Sequence, residues 1–369
     1  DTCRRQRQMC IRDRIKEREK GIIYSINSWN NNFYMHTNKD AEDFKILVSK
    51  NINSNQWEDF ISAKDETLIG SLVFLNNWII RTELTNALDK VFIRNIITNE
   101  EEELIFTDEK VYDPSVSLRQ KDRDTDEIYI SYSTPKTQNR TYLYNIKTKE
   151  KKLVKEQIIP SGHEPNDYIV ERLECPSHDG RVVPITITRH KNTPIDGSAE
   201  LLLYGYGSYG HSMSPTFSST RLSLIKRNII WATAHIRGGM ERGMKWWKEG
   251  KLLNKKNTFK DYIACAKFLI EKKYTSKKKI IGMGGSAGGL LMGVVVNEEP
   301  DLFLGVIMAV PFVDSLTTNL DHSLPLTIGE FDEFGNAKDN KKHFDYIYSY
   351  APYNNCLLYT SPSPRDQLT

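Results

Sequence analysis

The residues best suited to do chemistry in this sequence lie in the segment Gly284-Gly285-Ser286-Ala287-Gly288, which follows a short apolar run at 280–283. A serine placed where a strand turns abruptly into a helix has a strained backbone, and its hydroxyl stands above the sheet edge. The flanking residues must be small because a Cβ would clash with the neighbouring strand or helix. The backbone N–H of Ala287 and the positive end of the following helix would then face a developing oxyanion. The pattern predicts a serine nucleophile.

Two other interpretations of the glycine-rich segment are a phosphate-binding turn and an ordinary tight turn. No Lys-Ser or Lys-Thr pair follows the glycines, and a P-loop needs that lysine to reach the phosphates. The strand pattern before Ser286 and the helical pattern after it favour the nucleophile.

The elements that must position this serine are predicted in the second half of the chain. Residues 168–175 and 181–189 alternate in polarity around His178-Asp179-Gly180, which predicts a hairpin. Apolar strands are predicted at 201–204, 228–234, 280–283 and 305–310. One helix is expected to start at Thr258 as its cap, and another to follow Ser286 to residue 296. Strands alternating with helices predict a mostly parallel sheet with helices on both faces.

The first half of the chain, residues 22–155, is strand-rich. Strands predicted at 33–37, 78–83 and 128–132 resemble one another, and each is followed by a polar turn and a second strand. Those second strands are predicted at 44–48, 91–96 and 141–146, with short third strands at 103–106 and 152–154. A recurrence of about 45–50 residues suits one four-stranded propeller blade, and a β-sandwich is the alternative. Three blades cannot close a ring, so we expect a partial β-propeller.

Composition is ordinary for a globular protein large enough for two domains. Of the 369 residues, 39% are hydrophobic and 27% charged, and the net charge is only +3. Such a small, dispersed excess of basic residues does not indicate a nucleic-acid partner. The sequence has no apolar run of about 18 residues, so no membrane span is predicted. Cys175 and Cys265 are isolated, which suits a reducing compartment. We expect a cytoplasmic location, or a periplasmic one if a signal sequence has been lost.

The two ends differ from the rest of the chain. Residues 1–14 and 356–369 continue no neighbouring pattern and are similar to translated sequencing adapters; natural disordered tails are the alternative. The expected organisation is a non-native end at 1–14, a partial propeller at 15–160, a partial catalytic domain at 161–355 and a non-native end at 356–369. The natural protein is expected to extend beyond both ends.

Six ordered motifs between residues 203 and 331 resemble the prolyl oligopeptidase family and, within it, the oligopeptidase B group. Weaker similarity continues into the strand-rich half. The resemblance implies an α/β-hydrolase domain capped by a seven-bladed propeller, of which this chain would hold part. The motifs are Leu203-Tyr204-Gly205-Tyr206-Gly207-Ser208-Tyr209-Gly210, His235-Ile236-Arg237-Gly238-Gly239, Lys255-Lys256-Asn257-Thr258-Phe259-Lys260-Asp261-Tyr262, Met283-Gly284-Gly285-Ser286-Ala287-Gly288-Gly289, Val310-Pro311-Phe312-Val313-Asp314 and Thr327-Ile328-Gly329-Glu330-Phe331.

The resemblance also implies roles for single residues. Ser286 matches the nucleophile, and Tyr206 matches a tyrosine whose hydroxyl is the second oxyanion donor beside the Ala287 N–H. Glu330 and Asp332 match acidic residues that receive the Arg or Lys side chain before the cleaved bond. A carboxylate can bind a guanidinium through two hydrogen bonds, which separates basic from neutral side chains.

One position departs from the family pattern. Bacterial members carry two acidic residues shortly after the tyrosine motif, where this chain has Ser214 and Thr216. A preference for one basic residue is therefore implied, whereas a preference for paired basic residues is not.

The catalytic Asp and His of the family follow later strands, beyond the segment that Tyr350-Ala351-Pro352-Tyr353-Asn354-Asn355 matches. His235 precedes the serine, contrary to the order Ser, Asp, His on this fold. His322 lies in the specificity loop and His343 in a polar helical segment, so neither is expected to be the base. Since a serine without its base is a poor nucleophile, we expect the chain to have little or no peptidase activity and its full-length parent to be active.

Three functional hypotheses remain from the sequence. The first is a serine oligopeptidase that needs neither metal nor cofactor and whose parent cleaves short basic peptides. The second is an esterase of the same fold, and the third is a non-catalytic module that binds basic peptides. Neither a nucleic acid nor a membrane is expected as a partner, and the oligomeric state is left open.

Overall fold

Three small antiparallel sheets precede one larger mixed sheet in the computed structural model, which describes residues 15–118 and 123–356. Each small sheet has four strands in simple sequence order, and the large sheet has six. The expectations for residues 1–14 and 357–369 concern residues outside the described ranges.

The three small sheets are propeller blades. The strands of the first, β1–β4, are Tyr24–Trp29, Asn32–Thr37, Lys45–Ser49 and Glu58–Ile61. Those of the second, β5–β8, are Thr67–Phe74, Trp78–Thr85, Leu88–Asn95 and Glu101–Glu103. Those of the third, β9–β12, are Asp113–Leu118, Glu127–Ser133, Arg140–Asn145 and Lys151–Glu156. Tight hairpins join several of them; Asn30 and Asn31, between β1 and β2, both have the positive φ that such two-residue turns require.

The repeated strand pairs predicted from the sequence are confirmed as the central strands of the blades, β2–β3, β6–β7 and β10–β11. The first strand of each blade, β1, β5 and β9, was not predicted as part of the repeat. The prediction for 103–106 was wrong in position: the strand ends at Glu103, and the apolar side chains of Leu104 and Phe106 are instead buried in the core between blades.

The six-stranded sheet has the order β13-β14-β16-β15-β17-β18. Its strands, β13–β18, are Tyr168–Pro176, Val182–His190, Leu201–Tyr204, Ile230–Ala234, Ile280–Gly285 and Phe303–Ala309. The first three strands in space pair antiparallel, and β16, β15, β17 and β18 pair parallel. The α-helices, α1–α7, are Ser219–Ile225, Gly243–Lys248, Lys256–Glu271, Ala287–Glu298, Ser315–Leu320, Phe331–Phe334 and Lys341–Tyr348. Short 3-10 helices are Pro165–Asp167, Leu252–Asn254, Pro300–Leu302 and Thr327–Glu330.

The core of the second domain lies between this sheet and the helices α3 and α4. Tyr262, Cys265, Ala266 and Leu269 of α3 are all fully buried, as their shared face predicted. The predicted cap was wrong, because α3 begins at Lys256 and the Thr258 hydroxyl donates instead to the Arg237 carbonyl at 2.8 Å. That contact ties the helix to the loop after β16.

None of the helices in the described ranges combines the length and the apolar character that a membrane span requires.

Candidate active site

Ser286 occupies a sharp turn between β17 and α4. Its φ of 56° and ψ of −117° lie outside the regions that most side chains adopt, as a nucleophile elbow requires. The Ser286 N–H donates to the Ala309 carbonyl at 2.8 Å, and the Ser286 carbonyl accepts from the Phe312 N–H at 3.1 Å. The first bond goes to the last residue of the neighbouring strand β18 and the second to the segment just after it, and together they hold the turn in its strained conformation.

The glycines around the serine allow close approaches of backbone to backbone. A Cβ on Gly284 would overlap the Gly288 carbonyl oxygen, and one on Gly289 would lie 2.5 Å from the Cα of Pro311. A Cβ on Gly288 would lie 2.8 Å from the Gly205 carbonyl oxygen. The small residues predicted around the nucleophile are thus required by packing on three sides.

The two predicted oxyanion donors both lie near Ser286. Ala287 is the first residue of α4, where a backbone N–H has no acceptor within its own helix. The Tyr206 side chain lies near that of Ser286. Burial raises the pKa of Tyr206 above its usual value, against the opposing effect of the Ser286 side chain. The phenol is therefore held neutral, in the form that can donate to an oxyanion.

A cavity of about 480 Å³ opens beside Ser286 and extends to Glu330. Its wall is largely apolar, and Ser286 and Glu330 are both among the residues that form it. The lining residues are Tyr209, Ser286, Val310, Pro311, Phe312, Thr318, Leu324, Pro325, Leu326, Thr327 and Glu330.

Glu330 is engaged by a tyrosine that carried no predicted role. The Tyr209 hydroxyl donates to Glu330 Oε2 at 2.6 Å. Burial, followed by the charge and hydrogen bond of Glu330, raises the pKa of Tyr209 far above its usual value. Tyr209 therefore stays a neutral donor that orients the carboxylate at the end of the cavity.

Asp332 has a different setting from Glu330. It is exposed on α6 and is not among the residues that line the cavity. Its role in substrate binding stays a prediction. Ser214 and Thr216 lie in the loop before α1, where the Ser214 side chain is near Asp113 of the third blade.

The histidines weighed in the sequence have other partners. His235 is fully buried under β14, 2.8 Å from the Thr186 hydroxyl. The His322 ring packs against Phe331, and His343 Nδ1 accepts from the Asn336 N–H at 3.1 Å. Among residues 15–118 and 123–356, no histidine hydrogen-bonds to Ser286.

The sequence reasoning missed part of the site. Tyr209 follows Tyr206 by three residues, and its φ of 57° turns the chain there; the proximity of two tyrosines flanked by glycines was the available signal. Val310, Pro311 and Phe312, which form part of the cavity wall, belong to a sequence motif for which no role was predicted. Its function depends on β18 ending beside Ser286, which the sequence pattern alone does not reveal.

No group of three or more His, Cys, Asp or Glu side chains that could hold a metal ion occurs in the part of the chain that the structure describes.

Comparison with known proteins places this geometry in a family. The model for the prolyl oligopeptidase family matches residues 215–363, and the model for the prolyl oligopeptidase N-terminal β-propeller domain matches residues 4–157. Dipeptidyl aminopeptidase BI of Pseudoxanthomonas mexicana is 37% identical over 95% of this chain and 48% of its own length. Protease 2 of Moraxella lacunata is 35% identical over 92% of this chain and 49% of its own length.

Solved structures agree in fold. Oligopeptidase B from Trypanosoma brucei, with covalently bound antipain, superposes with a TM-score of 0.86 at 35% identity over 92% of this chain and 49% of that one. Oligopeptidase B from Leishmania major gives a TM-score of 0.84 at 32% identity over the same shares. The chain thus spans about half the length of these relatives. With its propeller blades and α/β-hydrolase domain, the chain belongs to the prolyl oligopeptidase family, near oligopeptidase B.

Proposed function

We propose that the described residues form the nucleophile and specificity-pocket part of a serine oligopeptidase that cleaves short peptides after Arg or Lys. The observation that carries this proposal is that Ser286 and Glu330 line the same cavity. A guanidinium at Glu330 would leave the peptide carbonyl beside the serine, the Tyr206 hydroxyl and the Ala287 N–H. Acyl transfer to Ser286 then needs only a base to take the hydroxyl proton.

We further propose that the base lies outside the described residues. The placement of His235, His322 and His343 away from Ser286 supports this. On this proposal the 369-residue chain hydrolyses an arginyl amide at least about 10³-fold more slowly than a longer form that supplies the base. A burst of arginyl-amide hydrolysis by the purified chain would contradict it.

The pocket can be tested by binding, without turnover. Calorimetry would compare an acetylated tripeptide amide ending in arginine with the same peptide ending in citrulline, which keeps the shape and loses the charge. We expect the arginine peptide to bind at least about tenfold more tightly. Glu330→Gln should bring the two affinities close together, because the neutral amide cannot form a charge-assisted pair.

Matched variants distinguish the contributions of the two acidic residues, Glu330 and Asp332, to peptide binding. Asp332→Asn tests the second predicted carboxylate, and Glu271→Gln removes a charge from an exposed position on α3 as the control. Equal affinities of the unchanged protein for arginine and citrulline peptides would reject the basic pocket. Labelling of Ser286 by a fluorophosphonate in the longer form would separate a catalytic protein from a binding module.

A further inference from the structure

A buried lysine joins two walls of the site. Lys255, just before α3, is 1% exposed, and its ammonium group has three acceptors. It donates to the Gly207 carbonyl at 2.7 Å, to the Ser208 hydroxyl at 2.5 Å and to Glu333 Oε1 at 3.2 Å. An ammonium group has three protons to donate, so these partners satisfy it completely.

The first wall is the oxyanion loop, residues 205–210, which carries Tyr206 and Tyr209. Gly207 follows Tyr206 directly, and Ser208, fully buried, precedes Tyr209. Gly207 and Tyr209 both have positive φ, at 70° and 57°. Glycine adopts a positive φ at little cost, whereas Tyr209 is strained there, so a contact from outside the loop must help to hold it.

The second wall is the pocket helix, the 3-10 turn Thr327–Glu330 continued by α6. Glu333 lies one turn after Glu330, is 2% exposed, and also accepts from Trp247 Nε1 at 2.8 Å through its other oxygen. The Phe334 ring lies 5.3 Å from the Lys255 ammonium and 6.0 Å from the Tyr209 ring. Helix and loop thus meet around one buried charge.

We propose that Lys255 is a positioning residue: its ammonium group fixes the separation between the oxyanion loop and the pocket helix, and so between Tyr206 and Glu330. This inference rests on the proposed function, since it concerns the spacing between the residues proposed for catalysis and the carboxylate proposed to bind the basic side chain. A buried charge is stable only when it is paired and hydrogen-bonded, so the contacts are obligatory while the lysine is charged. Misplacement of catalytic groups by about 1 Å can cost 10²-fold in rate.

The test compares two readouts in the 369-residue chain. The first is the ratio of affinities for the arginine and citrulline peptides, which reports Glu330. The second is the fluorine resonance of 3-fluorotyrosine placed at position 206, which reports the oxyanion loop. Lys255→Met should lower the affinity ratio at least about threefold and shift the Tyr206 resonance, because both walls lose the same anchor.

Two further variants separate positioning from stability. Lys255→Met leaves the Glu333 carboxylate buried without its cation, whereas Lys255→Met with Glu333→Leu removes both charges and should recover most of the lost melting temperature. The double variant should nevertheless keep the lowered ratio and the shifted resonance. Arg81→Met breaks another buried ion pair, with Glu83 in the second blade, and should change stability but neither readout.

The outcomes are distinct. If the double variant keeps the affinity ratio and the Tyr206 fluorine resonance of the unchanged protein, Lys255 does not position the two walls. If the single variant does not fold, the double variant decides. If the unchanged protein does not discriminate arginine from citrulline, the proposed function fails, and the Tyr206 resonance alone decides whether Lys255 positions the loop.

Discussion

At the residue scale, the turn at Ser286 depends on positions where a Cβ atom would clash with neighbouring backbone. Gly284 and Gly285 are neighbours on β17, yet their surroundings differ. A Cβ on Gly284 would overlap the Gly288 carbonyl oxygen at the start of α4, whereas one on Gly285 would lie 3.4 Å from the Ala309 carbonyl oxygen, an ordinary contact. The crossing of strand and helix at the elbow therefore requires glycine at the first position and tolerates alanine at the second.

This difference predicts unequal costs for two adjacent substitutions. Gly284→Ala should lower the free energy of unfolding by about 1–3 kcal/mol more than Gly285→Ala, because backbone must move to admit the methyl group. Urea unfolding followed by tryptophan fluorescence would measure both. Equal losses would mean that the close approach of β17 and α4 is not what selects Gly284.

At the element scale, α3 is anchored by a buried ion pair. Arg237, in the loop after β16, is 1% exposed, and Asp261 of α3 is 0% exposed. Asp261 Oδ2 accepts from the Arg237 N–H at 3.1 Å and from Nε at 2.8 Å, and Oδ1 accepts from Nη2 at 2.6 Å. The loop and the helix are therefore fixed to each other by one bidentate, charge-assisted contact.

Breaking this pair from one side should be costly. Asp261→Asn removes the fully buried one of the two carboxylates that Arg237 contacts and leaves Asp179 as its charged partner, and we expect a loss of about 1.5–3 kcal/mol of unfolding free energy. Asp345→Asn is the matched control, since its partner Lys341 is one turn away on the exposed face of α7; that change should cost about 0.5 kcal/mol or less. Thermal and urea unfolding of the two variants would measure the contrast, and a small effect at Asp261 would refute an anchoring role.

The strands and helices also show which parts of the structure could be predicted from the sequence. Strands with a strong pattern, such as β15 at Leu201–Tyr204 and the β13–β14 hairpin, were predicted closely; in β15 the three leucines are all buried, so a continuous apolar run marks the strand. The cap at Thr258 was wrong because a tertiary partner, the Arg237 carbonyl, takes its hydroxyl. Lys255 was beyond prediction as a site residue, and Tyr209 was indicated only by its closeness to Tyr206, since both roles depend on contacts between segments far apart in the chain.

At the scale of the whole molecule, residues 241–244 join the catalytic domain to the first two blades. The Met244 N–H donates to Asp43 Oδ1 at 2.6 Å, and the Ala87 N–H donates to the Glu241 carbonyl at 2.8 Å. Arg242 Nε donates to Glu66 Oε2 at 3.0 Å. The Met244 side chain also packs in the core of the first two blades. Polar and apolar contacts of this one short segment thus connect the two domains.

Glu241 gives this junction a pH dependence. Its side chain is 2% exposed, one carboxyl oxygen accepts from the Met213 N–H at 3.0 Å, and the other has no partner among the described residues. Burial raises the pKa of Glu241 from 4.5 to about 7, although the Met213 N–H and Arg172 favour the carboxylate. The folded state therefore holds a proton that the unfolded state releases between about pH 4.5 and 7. Stability from this group is complete below pH 4.5 and declines as the pH rises through 7.

Glu241→Gln should remove this dependence, because glutamine is neutral at every pH. Relative to the unchanged protein, we expect the variant to gain about 3 kcal/mol of unfolding free energy between pH 4.5 and pH 8, the amount that the pKa shift represents. Urea unfolding at pH 4.5, 6, 7 and 8 would give the difference at each pH. Glu271→Gln, at a position 71% exposed, is the control and should follow the unchanged protein throughout. A difference between Glu241→Gln and the unchanged protein that stays constant with pH would mean that Glu241 is ionised in the folded state, and that its charge is balanced at the junction by Arg172.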